Sequence, residues 1–302
     1  MRRIVLGVLV AAAACGGPGE EAEVAGGETS ATAAAPLDTT DVVATVLGFD
    51  GPEAVRFDPD QDVWFVASFG PGEGEPRDGD GYVSRMLAEG VVDSARFMTG
   101  TDAAPLHMPR GMVIKGDTLW VADVDGVHGF DRRDGRHLAF IDFRAHEPGF
   151  LNDIAAGPDG ALYVTDTGRA RVYRVAGAGG QPEIVADSLP AAPNGITWDA
   201  ARDAFLLAPW GEGRVILSLT TAGRVDSVAT VPALRFDGIE RVPAGILVAT
   251  QSDSSLWLVE AGGARRVVRT RGRPADIGYD ARRGVVAVPY IALNRVDLWE
   301  VP

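Results

Sequence analysis

The chain is poor in the residue types that carry much of enzyme chemistry: its 302 residues include one cysteine (Cys15), one lysine (Lys115) and four histidines. A lone cysteine near the start excludes intramolecular disulfides, thiolate metal clusters and a cysteine nucleophile from everything that follows it. Positive charge is scarce as well. Lys and Arg total 28 against 42 Asp and Glu, a net charge of −14, which argues against a nucleic-acid partner and suits a surface or site that attracts cations. No nucleophile elbow, phosphate-binding loop or zinc-peptidase helix motif is present, so serine-based hydrolysis and nucleotide chemistry have no support.

Long apolar runs are confined to one place. Arg2 and Arg3 precede an apolar stretch over residues 4–14, which ends in Ala12-Ala13-Ala14-Cys15. The stretch is short for a membrane span and has the form of a secretory signal with a lipobox, which predicts that Cys15 becomes the lipidated first residue of an exported protein anchored to a bacterial membrane. Residues 16–40 are Gly, Ala, Glu, Ser, Thr and Pro with few large apolar side chains. Such a segment buries too little surface to offset its ordering entropy and is predicted to be a disordered tether. Residues 41–302 remain for the folded part.

That part is repetitive. Glu53-Ala54-Val55, Arg110-Gly111-Met112, Asn152-Asp153-Ile154, Asn194-Gly195-Ile196, Asp237-Gly238-Ile239 and Ala275-Asp276-Ile277 begin six similar units, spaced 57, 42, 42, 43 and 38 residues apart. Each continues with a short apolar strand, a turn such as Gly157-Pro158-Asp159-Gly160, a strand rich in Val, Leu, Ile, Trp and Tyr, a polar loop and a third strand. A period near 40 with four short strands and no room for a helix is the pattern of a propeller blade. Fourth strands fall at 96–99, 138–143, 183–186, 225–231 and 265–270, but the sixth unit has none. The unclaimed apolar segment 42–47 supplies it, so the ring is predicted to be an all-β six-bladed propeller closed by its N-terminal strand.

In a blade of this kind the first residue of each unit stands at the mouth of the central channel. The ring then reads Glu53, Arg110, Asn152, Asn194, Asp237 and Ala275. Two carboxylates and two amide oxygens at one phase of a repeat are ligands for a hard divalent cation, Ca2+ first, with Mn2+, Mg2+ or Zn2+ as alternatives. Each residue singly is also ordinary turn chemistry. Arg110 is a candidate for binding an anionic part of a substrate, or for pairing with Glu53 or Asp237. Asp123, Asp166, Trp210, Gln251 and Tyr290 follow second strands and are expected as pocket walls. A loop at 70–81, rich in Gly, Glu and Asp, is a candidate lid, and His107, Arg144 and His146 lie on connections at the same mouth.

At Gly51-Pro52-Glu53, Leu151-Asn152-Asp153 with Pro158-Asp159-Gly160, Pro193-Asn194-Gly195-Ile196 and Asp237-Gly238, the sequence resembles the senescence-marker-protein-30/gluconolactonase family of six-bladed propellers (LRE-like), and more distantly the paraoxonase and strictosidine-synthase groups. The resemblance implies a cation held by Glu53, Asn152, Asn194 and Asp237. It also implies a lactone or ester substrate contacted by Arg110, Asn152, Trp210 and Tyr290, with Asp237 as general base. Two positions depart from it: Phe150 stands where sugar lactonases of the family carry Arg, and Arg110 follows Pro109 where paraoxonase-like proteins place His. The units equally resemble NHL repeats in Pro109-Arg110-Gly111, Pro193-Asn194-Gly195 and Val164-Thr165-Asp166-Thr167-Gly168, which implies a non-catalytic ligand- or protein-binding propeller on the cell envelope.

Overall fold

The computed structural model describes residues 42–71 and 77–302. The signal segment, Cys15 and the tether lie outside those residues, as does part of the candidate lid. The described chain is a six-bladed β-propeller, each blade a four-stranded antiparallel sheet. The innermost strands are Pro52–Asp58, Met112–Lys115, Leu151–Ala156, Pro193–Asp199, Phe236–Val242 and Gly278–Asp280.

Alternation along the strands explains why blades stack. Successive side chains of a strand point to opposite faces, and in Val63–Ser68 both faces are buried. Trp64 and Val66 pack toward the sixth blade, against Val285, Ala287, Val296 and Leu298. Val63, Phe65 and Ala67 pack toward the second blade, against Met112, Leu119, Val121 and Phe130. Apolar clusters of this kind occupy all six interfaces between neighbouring blades. The core is therefore six slabs arranged around an axis, and the axis itself is left to other residues.

Ring closure follows the sequence reading. The N-terminal strand Val42–Leu47 pairs antiparallel with Arg295–Glu300, in the register Thr45 to Asp297 and Val46 to Val296, and becomes the outer strand of the last blade. Thr45 adds a side-chain hydrogen bond to Asp297 at 2.9 Å, and Val46 is buried in the cluster between the sixth and first blades. The inner strands of these two blades also meet: the Asp276 N–H donates to the Glu53 carbonyl at 2.9 Å, and the Val55 N–H to the Asp276 carbonyl at 3.1 Å.

Four inner strands carry a register irregularity at the start of the unit. It falls between Pro52 and Ala54, Leu151 and Ile154, Pro193 and Ile196, and Phe236 and Ile239. These are the positions of Glu53, Asn152, Asn194 and Asp237. A bulge interrupts pleat alternation and re-aims a side chain, which lets a residue on a strand with two apolar faces point along the channel.

A chain beginning at residue 48 lacks the closing strand and exposes Arg295–Glu300 as a bare sheet edge. Compared with a chain beginning at 41, it is expected to unfold at a temperature at least ~10 °C lower, several kcal/mol of lost stability by the scaling for a domain of this size, and to oligomerise in size-exclusion chromatography. Equal melting and a monomeric profile would contradict the closure.

Candidate active site at the channel mouth

A cavity of about 520 Å³ opens at one end of the channel. Its floor contains Glu53, Asn152, Asn194 and Asp237, and its walls include Phe69, Met108, Phe150, Thr167, Trp210, Gln251 and Ile291. Four positions singled out by repeat phase alone thus meet at one void. All four are 95% or more buried. Each retains one side-chain oxygen with no hydrogen-bond partner: Glu53 Oε2, Asn152 Oδ1, Asn194 Oδ1 and Asp237 Oδ1. A buried polar atom left unpaired typically costs about 1–3 kcal/mol, and folded proteins rarely tolerate it. Four such oxygens, on four residues that line one cavity, match a hard cation, which takes several oxygen ligands of this type. The set has two carboxylates and two amides. Among the described residues no group of three or more His, Cys, Asp or Glu is placed to hold a metal ion, so the two amides are needed to complete a ligand set here.

The second Asp237 oxygen is occupied: Gln251 Nε2 donates to Oδ2 at 2.7 Å. This contact fixes the carboxylate plane and leaves Oδ1 as the unpaired oxygen. Burial drives the Asp237 carboxyl up to about 7, with Gln251 opposing the shift and Asp153 adding to it. Glu53 is also held well above the ordinary carboxylate range, by burial first and then by Asp237, while Arg110 acts in the opposite direction.

Arg110 sits near this floor but outside the cavity lining. It is 2% exposed, its Nη1 donates to the Leu151 carbonyl at 3.0 Å, and its guanidinium lies 3.9 Å from the centroid of the Phe150 ring. The expectation of a substrate-binding Arg110 is therefore not met by its geometry, and nor is an ion pair with Glu53 or Asp237: Phe150 covers the charge. Tyr290 is also displaced from the expected role. Its ring is buried in the apolar cluster between the fifth and sixth blades, and Ile291 replaces it in the lining. Trp210 and Gln251 do form walls.

Asp123 and Asp166 prove to be clamps behind the walls. Asp123 accepts from the His107 and Met108 N–H groups at 2.8 and 2.7 Å. Asp166 accepts from Gly149, Phe150 and Arg169 N–H groups at 3.0, 2.8 and 3.1 Å. They anchor the loops that bring Met108 and Phe150 to the cavity. His107 and Arg144 line a separate cavity of about 250 Å³ with Arg77, Asp125 and Phe140. In the described part of the 70–81 loop, Arg77 pairs with Asp125 at 2.9 Å, and the Asp80 N–H donates to Asp78 at 3.2 Å. None of these residues lines the main cavity.

A second layer of charge had no place in the sequence reading. Arg56 is hydrogen-bonded to Glu240, lies 4.0 Å from Asp276 and donates from Nε to the Met112 carbonyl at 2.7 Å. Asp153 accepts from the Ile196 N–H of the next blade at 2.7 Å. Burial lifts Asp153 to about 6 and Asp276 well above its usual value, with Arg56 pulling both down. The available signal was a charged residue three positions beyond the first residue of the unit, Arg56 after Glu53 and Glu240 after Asp237. Among the described residues, Arg110 is the guanidinium acting on Glu53 and Arg56 the one acting on Asp153, Glu240 and Asp276, and none acts on Asp237. A divalent cation would offset much of the excess.

The sign of the resulting pH dependence is set by the raised values. A carboxyl that keeps its proton longer when folded contributes stability below its unfolded pKa of ~4, and that contribution is lost as pH rises through the folded value. Without metal, the protein is expected to melt at a lower temperature at pH 8 than at pH 5. The Asp237→Asn variant should show a smaller decrease. A wild-type melting temperature that rises over this interval in chelator would contradict the assignment.

No protein family matches the sequence, and no curated protein matches it either. Solved structures do match in fold. A gluconolactonase from Xanthomonas campestris aligns over 86% of this chain and 89% of its own, with a TM-score of 0.64 and 15% identity. A catalytically inactive histidine-to-alanine variant of virginiamycin B lyase from Staphylococcus aureus, solved with quinupristin, aligns over 83% and 95%, with a TM-score of 0.60 and 14% identity. A streptogramin B lyase aligns over 83% and 93%, with a TM-score of 0.59 and 15% identity. At these identities the likeness establishes a shared propeller fold, and function must be argued from the cavity.

Proposed function

We propose that this chain is a divalent-cation-dependent hydrolase of lactones or esters, exported and held at a bacterial membrane through lipid on Cys15. The observation that carries the proposal is the set of four partnerless oxygens, on Glu53, Asn152, Asn194 and Asp237, four residues that line one cavity. The fold likeness to a gluconolactonase is in keeping with it. Those four residues would hold the cation, Ca2+ by the hardness of the donors. When bound, it would supply positive charge against the negative charge that develops on the carbonyl oxygen.

The remaining chemistry belongs to the chain. Asp237, whose carboxyl pKa is raised by burial in the metal-free protein and would be lowered by a bound cation so that the group stays ionised, takes a proton from a water molecule as that water's oxygen bonds to the acyl carbon. The acyl C–O bond of the lactone then breaks, the proton passes to the departing alkoxide, and the product is a hydroxy acid. Gln251 is a positioning residue, holding Asp237 Oδ2 so that the carboxylate cannot rotate. Arg110 contributes through space, as its buried charge favours ionised Glu53. A non-catalytic binding propeller has no need of two uncompensated carboxylates at its axis. Among the described residues no histidine lines this cavity, whereas the lyase neighbour was solved as an inactive histidine-to-alanine variant.

Calorimetric titration of residues 41–302 with Ca2+, Mn2+, Mg2+ and Zn2+ tests the site. Binding is expected in the wild type, with affinity rising between pH 5 and 8 as the carboxyls shed protons. A loss of at least tenfold, about 1.4 kcal/mol, is expected in Glu53→Gln and Asp237→Asn. Unchanged affinity in both variants would end the assignment. In turnover assays with a lactone and aryl-ester panel, Gln251→Ala is expected to lower kcat by about tenfold or more with little change in cation affinity; an unaltered kcat would remove its positioning role.

A further inference from the structure

The walls of the main cavity differ in chemistry from its floor. Above the four oxygens stand Phe69, Met108, Phe150, Trp210 and Ile291. The two polar side chains among the walls are already engaged: Thr167 Oγ1 donates to the Pro193 carbonyl at 2.7 Å, and Gln251 Nε2 to Asp237 at 2.7 Å. The one nearby cation, Arg110, is sealed beneath the Phe150 ring. Beyond the Trp210 indole N–H and the remaining N–H of the Gln251 amide, the wall side chains offer no donor to a substrate hydroxyl.

We infer that the substrate is a lactone or ester bearing a hydrocarbon substituent, aryl or alkyl, and not a polyhydroxylated sugar-acid lactone. The inference rests on the hydrolase reading above and concerns only what occupies the walls. A polyol entering this cavity would exchange its hydrogen bonds to water for contact with Phe, Met, Trp and Ile, and each hydroxyl so stranded weakens binding roughly tenfold. A phenyl or alkyl group gains from the same walls through burial and aromatic contact. The volume, about 520 Å³, is within the range of small-molecule sites. With polar oxygens confined to the floor, the carbonyl is directed down and the substituent toward the mouth.

The apolar wall is built in advance of any ligand. The Phe150 N–H is held by Asp166 at 2.8 Å, and its ring rests on the Arg110 guanidinium, yet the residue is 41% exposed. An exposed phenylalanine fixed on both its backbone and ring sides is ready for contact. The Met108 N–H is fixed in the same manner by Asp123.

Two measurements on the 41–302 protein separate this inference from the reading it rests on. The first needs no metal and no turnover: calorimetry of the metal-free protein with 5-phenyl-γ-butyrolactam and with gluconolactam, amide isosteres that resist hydrolysis. The phenyl lactam is expected to bind at least tenfold more tightly, and Phe150→Ser or Trp210→Ala to reduce that preference at least fivefold. Equal affinities, or no binding of the phenyl lactam, would overturn the inference. The second compares kcat/KM for 5-phenyl-γ-butyrolactone and glucono-1,5-lactone with Ca2+ or Mn2+ bound, corrected for spontaneous hydrolysis. A preference of at least tenfold for the phenyl lactone is expected. Faster turnover of gluconolactone would overturn the substrate class and leave the hydrolase standing. Turnover of neither lactone would instead count against the hydrolase, and the lactam titration would still decide what the walls accept.

Discussion

A propeller cannot place a hydrophobic core on its own axis. Strand alternation sends every apolar side chain of an inner or middle strand toward one neighbouring blade or the other, as Trp64 and Phe65 do, and closure of the last blade by Val42–Leu47 completes the sixth interface. The channel is left with whatever the bulges at the strand starts turn inward. In this chain those residues are carboxylates and amides, buried at the floor of the cavity. The concentration of unpaired oxygens, the raised carboxyl values and the excess of negative charge all descend from that one geometric constraint.

The charges are arranged by depth. Arg56 lies among Glu240, Asp276 and Asp153 within the channel, whereas the ring above it has no guanidinium in contact with Glu53 or Asp237. The deeper carboxylates have a resident cation, and the upper pair has none of its own. Arg110, the only ring residue able to fill that role, is turned aside onto the Leu151 carbonyl and the Phe150 ring. The same placement hides its charge from the cavity and converts the mouth into an apolar wall. One arginine–phenylalanine contact thus bears on both the floor and the walls.

The fold could be read from the sequence because a blade is local. Its period, its turn residues and the orphan segment 42–47 are all visible as strings, and inner-strand phase identified Glu53, Asn152, Asn194 and Asp237 as neighbours at one mouth. Side-chain direction could not be read in the same way. Phase places Arg110 on the ring, but only the stacking partner Phe150 determines that it points away, and Tyr290 fails as a wall because a three-residue turn at Ile291–Leu293 puts the next side chain at the cavity. Asp123 and Asp166 look like pocket residues until their backbone partners are known. The Arg56, Glu240 and Asp276 layer comes from three blades far apart in sequence, so no local pattern joins them.

The account depends on a single cation-sized point shared by four blades. Crystals of residues 41–302 soaked in Mn2+ and measured at a wavelength with strong manganese anomalous scattering would test it most directly. The predicted result is one strong anomalous peak at the cavity floor, within ~2.0–2.6 Å of oxygens from Glu53, Asn152, Asn194 and Asp237, the range spanned by hard-cation ligands. A floor with no peak, or with those oxygens bound only to water or to the Arg110 guanidinium, would contradict it.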